Sequence, residues 1–310
     1  MVENLKKIKH ILIINNFNIK LMNDFYILFL KIWVSLSCFF FTKKKIKTLN
    51  LDNKNKIKIL LDPMNGFVDK FIYTKKKWDE VNTKIIIKNL KKNHCFIDVG
   101  SNTGYFSLLA SPIVGKKGKI IAIEPIKKLY QQIKFNKKIN FFENIKIYNF
   151  GCSNKYQKKN IYIRDDEIAR SSLYKNYVSH YSFYKKEFFN KLFNFKKINI
   201  RVEKIKLLKL DDFIKHKVDF IKIDIEGHEY QALQGMRKIL KKYMPKLIIE
   251  TNSFALKKNL LNKIFNFLSQ LNYEIFCNNN LEKKIDFNEF NKITKNEIID
   301  IFCVNKDKKI

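Results

Sequence analysis

Proline is scarce in this chain of 310 residues, with four in all, and no stretch is enriched in proline, serine and glycine together. Rigid breaks and flexible linkers are therefore few, and no internal repeat is present. One domain of ordinary size with an N-terminal arm is the economical organisation. Cysteine is as sparse. Cys38, Cys95, Cys152, Cys277 and Cys303 lie far apart with no C-x-x-C pair, which excludes a zinc site built on such pairs and a disulfide framework, and fits a reducing cytoplasm. Of five histidines only His228 sits in a motif, while His10, His94, His180 and His216 have no partner at metal-ligand spacing, so no metal is expected. Arginine is nearly missing: Arg164, Arg170, Arg201 and Arg237 are the four among 62 basic residues, against 29 acids and a net charge of +33.

Lysine supplies almost all of that charge, and asparagine, isoleucine and phenylalanine are abundant beside it. These four residue types share A/T-rich codons, so one compositional bias accounts for them together. A nucleic-acid reader would favour arginine for its bidentate contacts, and a functional basic surface facing anionic lipid or acidic glycans is the lesser reading. The run 25–41 is nearly all apolar, contains Lys31, and is followed by Lys43, Lys44, Lys45 and Lys47. As a helix it would reach about 25 Å, short of the roughly 30 Å hydrocarbon core. It begins too far from the start, and lacks the small-residue cleavage site, of a signal peptide. We expect 1–55 to be a basic, apolar, helical extension, packed on the domain or touching a membrane peripherally through 20–47, with a true span by 25–41 as the lesser reading. Residues 56–310 form the second domain, in the cytoplasm.

The most informative stretch is 95–104, CFIDVGSNTG. An apolar run suited to a strand covered on both faces ends in Asp98, and Gly100 and Gly104 precede a helical run over 105–110. Glu124 closes a second apolar run, Lys119–Ile123, one strand–helix–strand unit later. A carboxylate there is placed to accept hydrogen bonds from ribose hydroxyls. The glycine spacing of a dinucleotide fingerprint, which cradles a pyrophosphate, is not met, and D-x-G-x-x-x-G favours a nucleoside cofactor without phosphates, S-adenosylmethionine being the common one. A third block, 218–229 (VDFIKIDIEGHE), again runs from a strand into acids and a glycine before a helical run over 230–241.

Strands are read at 57–61, 96–99, 120–124, 145–151, 218–224 and 246–251, and helices at 83–91, 127–136 and 256–271. A closing antiparallel pair is read at 273–277 and 298–304. Residues 153–200 show little periodicity and read as an insertion over the carboxyl edge of the sheet. Alternation of strand and helix indicates a doubly wound α/β sheet, mostly parallel with one antiparallel strand near the C-terminus.

FIDVGSNTGYFSLLA, IIAIEP, LDDF, VDFIKIDIEGHEYQALQG and PKLIIE, in that order, resemble the FkbM family of S-adenosylmethionine-dependent methyltransferases over about residues 60–305. The resemblance implies a class I methyltransferase (Rossmann-like) fold and O-methylation of a hydroxyl on a sugar, glycan or related small metabolite. It marks Asp224, Glu226, Gly227 and Glu229 as motif positions. Cofactor contacts are expected from Asp98, Gly100, Ser101, Asn102, Gly104, Tyr105, Glu124, Pro125, Ser172 and Asp224. Ser172 belongs to an Arg170–Ser171–Ser172–Leu173 element similar to a serine pair of the family, with a loop turn as the plain alternative.

Methyl transfer to an alcohol needs alignment and a proton acceptor, and the candidates are Asp224, Glu226 and His228. A place on the first helical turn is the plain alternative for His228, and favouring of the helix N-terminus for Glu226 and Glu229. Asp224 with Glu226 as magnesium ligands is a lesser reading. Trp78, Asp79 and Glu80 precede a helix where the family carries an acid, with core packing and N-capping as the plain alternatives. Two other functions stay open: ribose methylation of RNA, base N-methylation being disfavoured by D-I-E-G in place of an Asn/Asp-Pro-Pro motif, and non-catalytic binding at a membrane surface. The oligomeric state is not legible.

Overall fold

Five short apolar runs become the parallel core of one sheet, because each is covered on both faces and β-branched residues fill such positions well. The computed structural model describes residues 43–51, 55–180, 199–255, 258–278, 280–295 and 297–308. The chain divides into two units, 1–43 and 44–310. The apolar run 25–41 and Cys38 lie outside the described residues. Among those described, no helix is long and apolar enough to cross a membrane.

In chain order the second unit holds β1 (Lys45–Asn50), β2 (Lys56–Leu61), α1 (Phe67–Lys75), α2 (Glu80–Asn89), β3 (Cys95–Val99), α3 (Tyr105–Val114), β4 (Lys119–Ile123), α4 (Lys127–Ile139) and β5 (Ile145–Tyr148). There follow β6 (Gly151–Cys152), β7 (Gln157–Arg164), α5 (Lys175–His180), β8 (Ile200–Leu208), α6 (Leu210–Phe213), β9 (Phe220–Ile223), α7 (Glu229–Gln234), α8 (Arg237–Tyr243) and β10 (Lys246–Asn252). The chain closes with α9 (Lys258–Gln270), β11 (Tyr273–Cys277), β12 (Asn280–Lys284), α10 (Phe287–Ile293) and β13 (Ile298–Asn305).

The main sheet has the order β12-β11-β13-β10-β9-β3-β4-β5. β3 pairs in parallel with β4 and β9, β4 with β5, and β9 with β10. β13 runs antiparallel between β10 and β11, and β12 is antiparallel to β11 at the edge, so that two strands rather than the expected one run against the parallel core of a class I methyltransferase sheet. The edge strand β12 is an addition the sequence reading lacks. The chain steps outward from β3 to β5 and then returns to β9 on the other side of β3, so the switch point that attracts ligands in open α/β sheets falls at the carboxyl ends of β3 and β9.

Alternation along the strands sorts two cores. Ile97, Val99, Ile221, Ile223, Leu247 and Ile249 face the side of α7, α8 and α9. Phe96, Phe220, Ile248 and Phe302 face the side of α2, α3 and the β1–β2 hairpin.

Two boundaries move. Lys45–Asn50 belongs with the second unit rather than with an N-terminal extension ending at 55, because it pairs along its length with Lys56–Leu61 and buries Leu49. The insertion 153–200 is regular in part: β7 pairs with β8 over eight residues, and β8 joins β6 in a second, three-stranded sheet. Lysines and asparagine on the exposed face of β7 hide its alternation. The helix read over 230–241 is two helices, α7 and α8. At Gly235 a Cβ would lie 1.9 Å from the Ser153 carbonyl oxygen, so the chain is pressed against the insertion there and turns.

Candidate active site

The loop after β3 is shaped by left-handed residues at Gly100 (φ +83°), Asn102 (φ +53°) and Gly104 (φ +87°). A Cβ on Gly100 would lie 1.9 Å from the Asp224 carbonyl oxygen, so this glycine is required by the end of β9 rather than by a ligand. Ser101 ties the loop to both strands, its hydroxyl donating to the Asp98 carbonyl at 2.7 Å and accepting from the Ile123 amide at 3.0 Å. The Glu124 carboxylate accepts the Asn102 amide on one oxygen at 2.9 Å and the Ile126 amide on the other at 2.8 Å. Each oxygen keeps a lone pair for a ribose hydroxyl. Burial pushes the Glu124 carboxyl up to about 8, against the lowering effect of the two amides.

These residues open onto a cavity of about 260 Å³. Gly100, Ser101, Asn102, Tyr105, Glu124 and Pro125 line one end. Lys222, Asp224, Ile225, Glu226 and Glu250 line the other. The sheet order separates the ends: Glu124 follows β4 on one side of β3, and Asp224 and Glu250 belong to β9 and β10 on the other.

The far end is built by a charged row on one face of the sheet. Asp98 on β3 is in register with Lys222 on β9, and Glu250 on β10 with Asp300 on β13. Lys222 is 3% exposed, stands over the Phe106 ring, and reaches Asp224 at 2.7 Å. Burial alone would push it down, but Asp224, Asp98 and Asp300 hold it charged, above the ordinary lysine value. One oxygen of Glu226 accepts the Tyr177 hydroxyl at 2.6 Å and the Asn252 side-chain amide at 2.9 Å. Carboxylate oxygens of Asp224, Glu226 and Glu250 lie within 4.8 Å of one another. Burial, then the neighbouring carboxylates, raises both Glu226 and Glu250 above the ordinary glutamate value. A cationic side chain already pairs with Asp224 and two neutral donors with Glu226, and we assign the trio to no metal.

The roof comes from two segments. Phe67, Val68 and Trp78 from one, and Glu167, Ile168, Ala169, Arg170 and Ser171 from the other, line the cavity. Both oxygens of Glu167 accept the Phe67 amide, at 3.1 and 2.9 Å, so the insertion caps the first turn of α1.

Several expected site residues stand elsewhere. Asp98 is 1% exposed and accepts the Ser107 hydroxyl at 2.6 Å; it sits beneath the loop and does not line the cavity. Gly104 packs on Ile133 as the N-cap of α3. Ser172 donates its hydroxyl to the Glu226 carbonyl at 2.6 Å and turns away from the cavity, which its neighbour Ser171 lines.

His228 is corrected as a base. It is 3% exposed, its Nε2 meets Ser153 at 3.0 Å and its Nδ1 the Tyr174 hydroxyl at 3.2 Å, and burial pushes its imidazole down to about 4. It joins the insertion to the loop after β9. Glu229 is fully buried and accepts the amides of Ile225 and Gly227, so it fixes that loop. Asp79 N-caps α2 through the Asn82 amide, and Trp78 reaches the cavity.

Glu250, Lys222, Glu167, Tyr177 and Asn252 are the residues the sequence reading missed. Glu250 was accessible to the logic used for Glu124, an acid near the carboxyl end of an apolar strand.

Glu124, Glu167, Asp224, Glu226 and Glu250 outnumber Arg170 and Lys222 around the cavity, in a chain of net charge +33. A carboxyl aimed for ribose at one end and clustered carboxyls at the other suit a nucleoside that carries a sulfonium cation, which would favour the ionised form of acids that burial and mutual repulsion hold back.

The model of the methyltransferase FkbM domain matches residues 98–275, more than half of the chain. A comparison with curated proteins gives no match. Among solved structures, the chain is similar to a methyltransferase FkbM from Methylobacillus flagellatus KT, at 18% identity over 69% of this chain with a TM-score of 0.42, and it spans 44% of that protein's length. It is also similar to a SAM-dependent O-methyltransferase from Thermotoga maritima, at 12% identity over 86% of this chain and 79% of that one with a TM-score of 0.41. A precorrin-6y C5,15-methyltransferase from Geobacter metallireducens GS-15 matches at 14% identity over 73% and 87% with a TM-score of 0.39. With the matched domain running from the end of β3 through β11 and enclosing the residues of the cavity's two ends, the chain belongs to the FkbM methyltransferase family and is an S-adenosylmethionine-dependent methyltransferase.

Proposed function

We propose that the chain O-methylates a hydroxyl of a sugar, a glycan or a related small metabolite. The observation that carries this reading is the trio Asp224, Glu226 and Glu250, with oxygens within 4.8 Å of one another at the end of the cavity away from Glu124. Carboxyl oxygens held this close suit a ligand that offers several hydroxyls. The same trio repels phosphate, which disfavours ribose methylation of RNA despite the basic surface.

When bound, the cofactor supplies the methyl group from a sulfonium. Asp224, Glu226 and Glu250 are placed to orient the hydroxyl and receive its proton, and the roof segments exclude water. Cofactor contacts are assigned to Gly100, Ser101, Asn102, Tyr105, Glu124 and Pro125. We place the enzyme in the cytoplasm, where the cofactor is made, with peripheral membrane contact through 20–47.

The test is transfer of labelled methyl from S-adenosylmethionine by the full chain to parallel panels of nucleotide sugars, oligosaccharides and RNA. Label in a base-stable methyl ether of a sugar is expected. Label in RNA with none in any saccharide would overturn the reading.

A further inference from the structure

Three carboxylates meet at the acceptor end of the cavity, and their partners differ. Asp224 is paired with Lys222 at 2.7 Å. Glu226 has one oxygen fixed by Tyr177 and Asn252. Among the described residues Glu250 has one hydrogen-bond contact, from the Asn252 amide at a long 3.4 Å, beyond the usual range of a good hydrogen bond. Its cross-strand neighbour on β13 is another acid, Asp300, an arrangement that costs stability.

The elements around the trio carry charged groups of both signs. β9 and the loop after it present Lys222, Asp224 and Glu226. α7 presents Glu229, β13 presents Asp300, the residue before α2 is Asp79, and the roof turn carries Arg170. Acids predominate. The Glu250 side chain nevertheless lines the cavity, although Ile248 and Ile249 just before it on β10 are fully buried.

We infer that Glu250 is the proton acceptor for the methyl-accepting hydroxyl, with Glu226, held by Tyr177 and Asn252, as the residue that hydrogen-bonds and aims that hydroxyl. The inference rests on the reading of the acceptor as a hydroxyl compound. In the step, a lone pair of the acceptor oxygen forms the O–C bond to the methyl carbon. The C–S electron pair stays on sulfur, and the O–H proton passes to a Glu250 oxygen and then to solvent. Glu250 has the weakest hydrogen-bond support of the three, and burial with its acidic neighbours raises it above the ordinary glutamate value, so that it takes up a proton readily. A cation arriving in the cavity favours its ionised form, so cofactor binding and proton release are linked.

The experiment is calorimetric titration of S-adenosylmethionine and, separately, S-adenosylhomocysteine into the full chain between about pH 6 and 9, in buffers of different ionisation heat. We expect the sulfonium compound to bind more tightly as pH rises, with release of up to about one proton. The neutral thioether should release distinctly less. Glu250→Gln should bind as wild type does near pH 6, lose the tightening as pH rises and release little, and its methyl transfer to a labelled acceptor should fall by about 100-fold or more. Proton release unchanged in Glu250→Gln would overturn the assignment. If that variant does not fold, Glu250→Asp serves, and release at an unshifted pH would overturn it equally. Proton release through Glu250 with no saccharide labelled would place the failure in the acceptor reading. A labelled saccharide with release unchanged in the variant would place it in the assignment of Glu250.

Discussion

His228 follows Gly227, a conformationally permissive residue, in a motif of acids, and its side chain nevertheless turns inward to Ser153 and Tyr174. With the imidazole pushed down to about 4 by burial, and further by Lys159, the folded state requires it neutral. Its favourable contacts are therefore complete above the unfolded value near 6.5 and are lost as pH falls toward 4. We predict that the stability difference between wild type and His228→Gln is largest at neutral pH and shrinks by up to about 3 kcal/mol over that window, as read by denaturant unfolding. Methyl transfer at neutral pH should stay within about tenfold in the folded variant. A loss near the 100-fold typical of a removed general base would return His228 to that role. From sequence alone the residue was ambiguous, because position in a motif does not reveal which way a side chain points. Glu124 was legible because its role follows from where a strand ends. Glu250 lies near the end of a strand of the same kind, but no cofactor group fixes the position of an acid there as ribose does for Glu124.

The parallel strands and their acidic ends were readable as elements, since apolar runs covered on both faces leave few alternatives. The β7–β8 pair was not. Only Ile161 and Ile163 on β7 pack into the small third core, and the lysines before them suggest a solvated loop. The β1–β2 hairpin was half seen: Ile57, Ile59 and Leu61 gave β2 away, while lysines hid β1.

The roof follows from these unseen elements, because β7 leads into the turn that carries Glu167 to the start of α1. Gly66 is tight against it, with φ +121° and a Cβ position 2.7 Å from the Glu167 Cα. Replacing Glu167 by Gln weakens a charged cap worth about 1 kcal/mol. We predict that S-adenosylmethionine dissociates about fivefold faster from Glu167→Gln, equivalent to that energy, in stopped-flow displacement by S-adenosylhomocysteine. A dissociation rate equal to wild type would contradict the roof as a retaining element.

At the scale of the molecule, charge is divided by place. The chain is strongly basic overall, yet its cavity gathers Glu124, Glu167, Asp224, Glu226 and Glu250 around two cations. Composition reported the surface and concealed the pocket, because net charge is a sum and the site is a local exception to it. The central claim is that S-adenosylmethionine occupies this cavity with its ribose on Glu124. The measurement that tests it most directly is calorimetric titration of S-adenosylmethionine into the full wild-type chain and into Glu124→Ala. We predict saturable micromolar binding by wild type and a loss of at least about tenfold in the variant, near 1.4 kcal/mol for the lost hydrogen bonds to ribose. Equal affinity in the two folded proteins would contradict it.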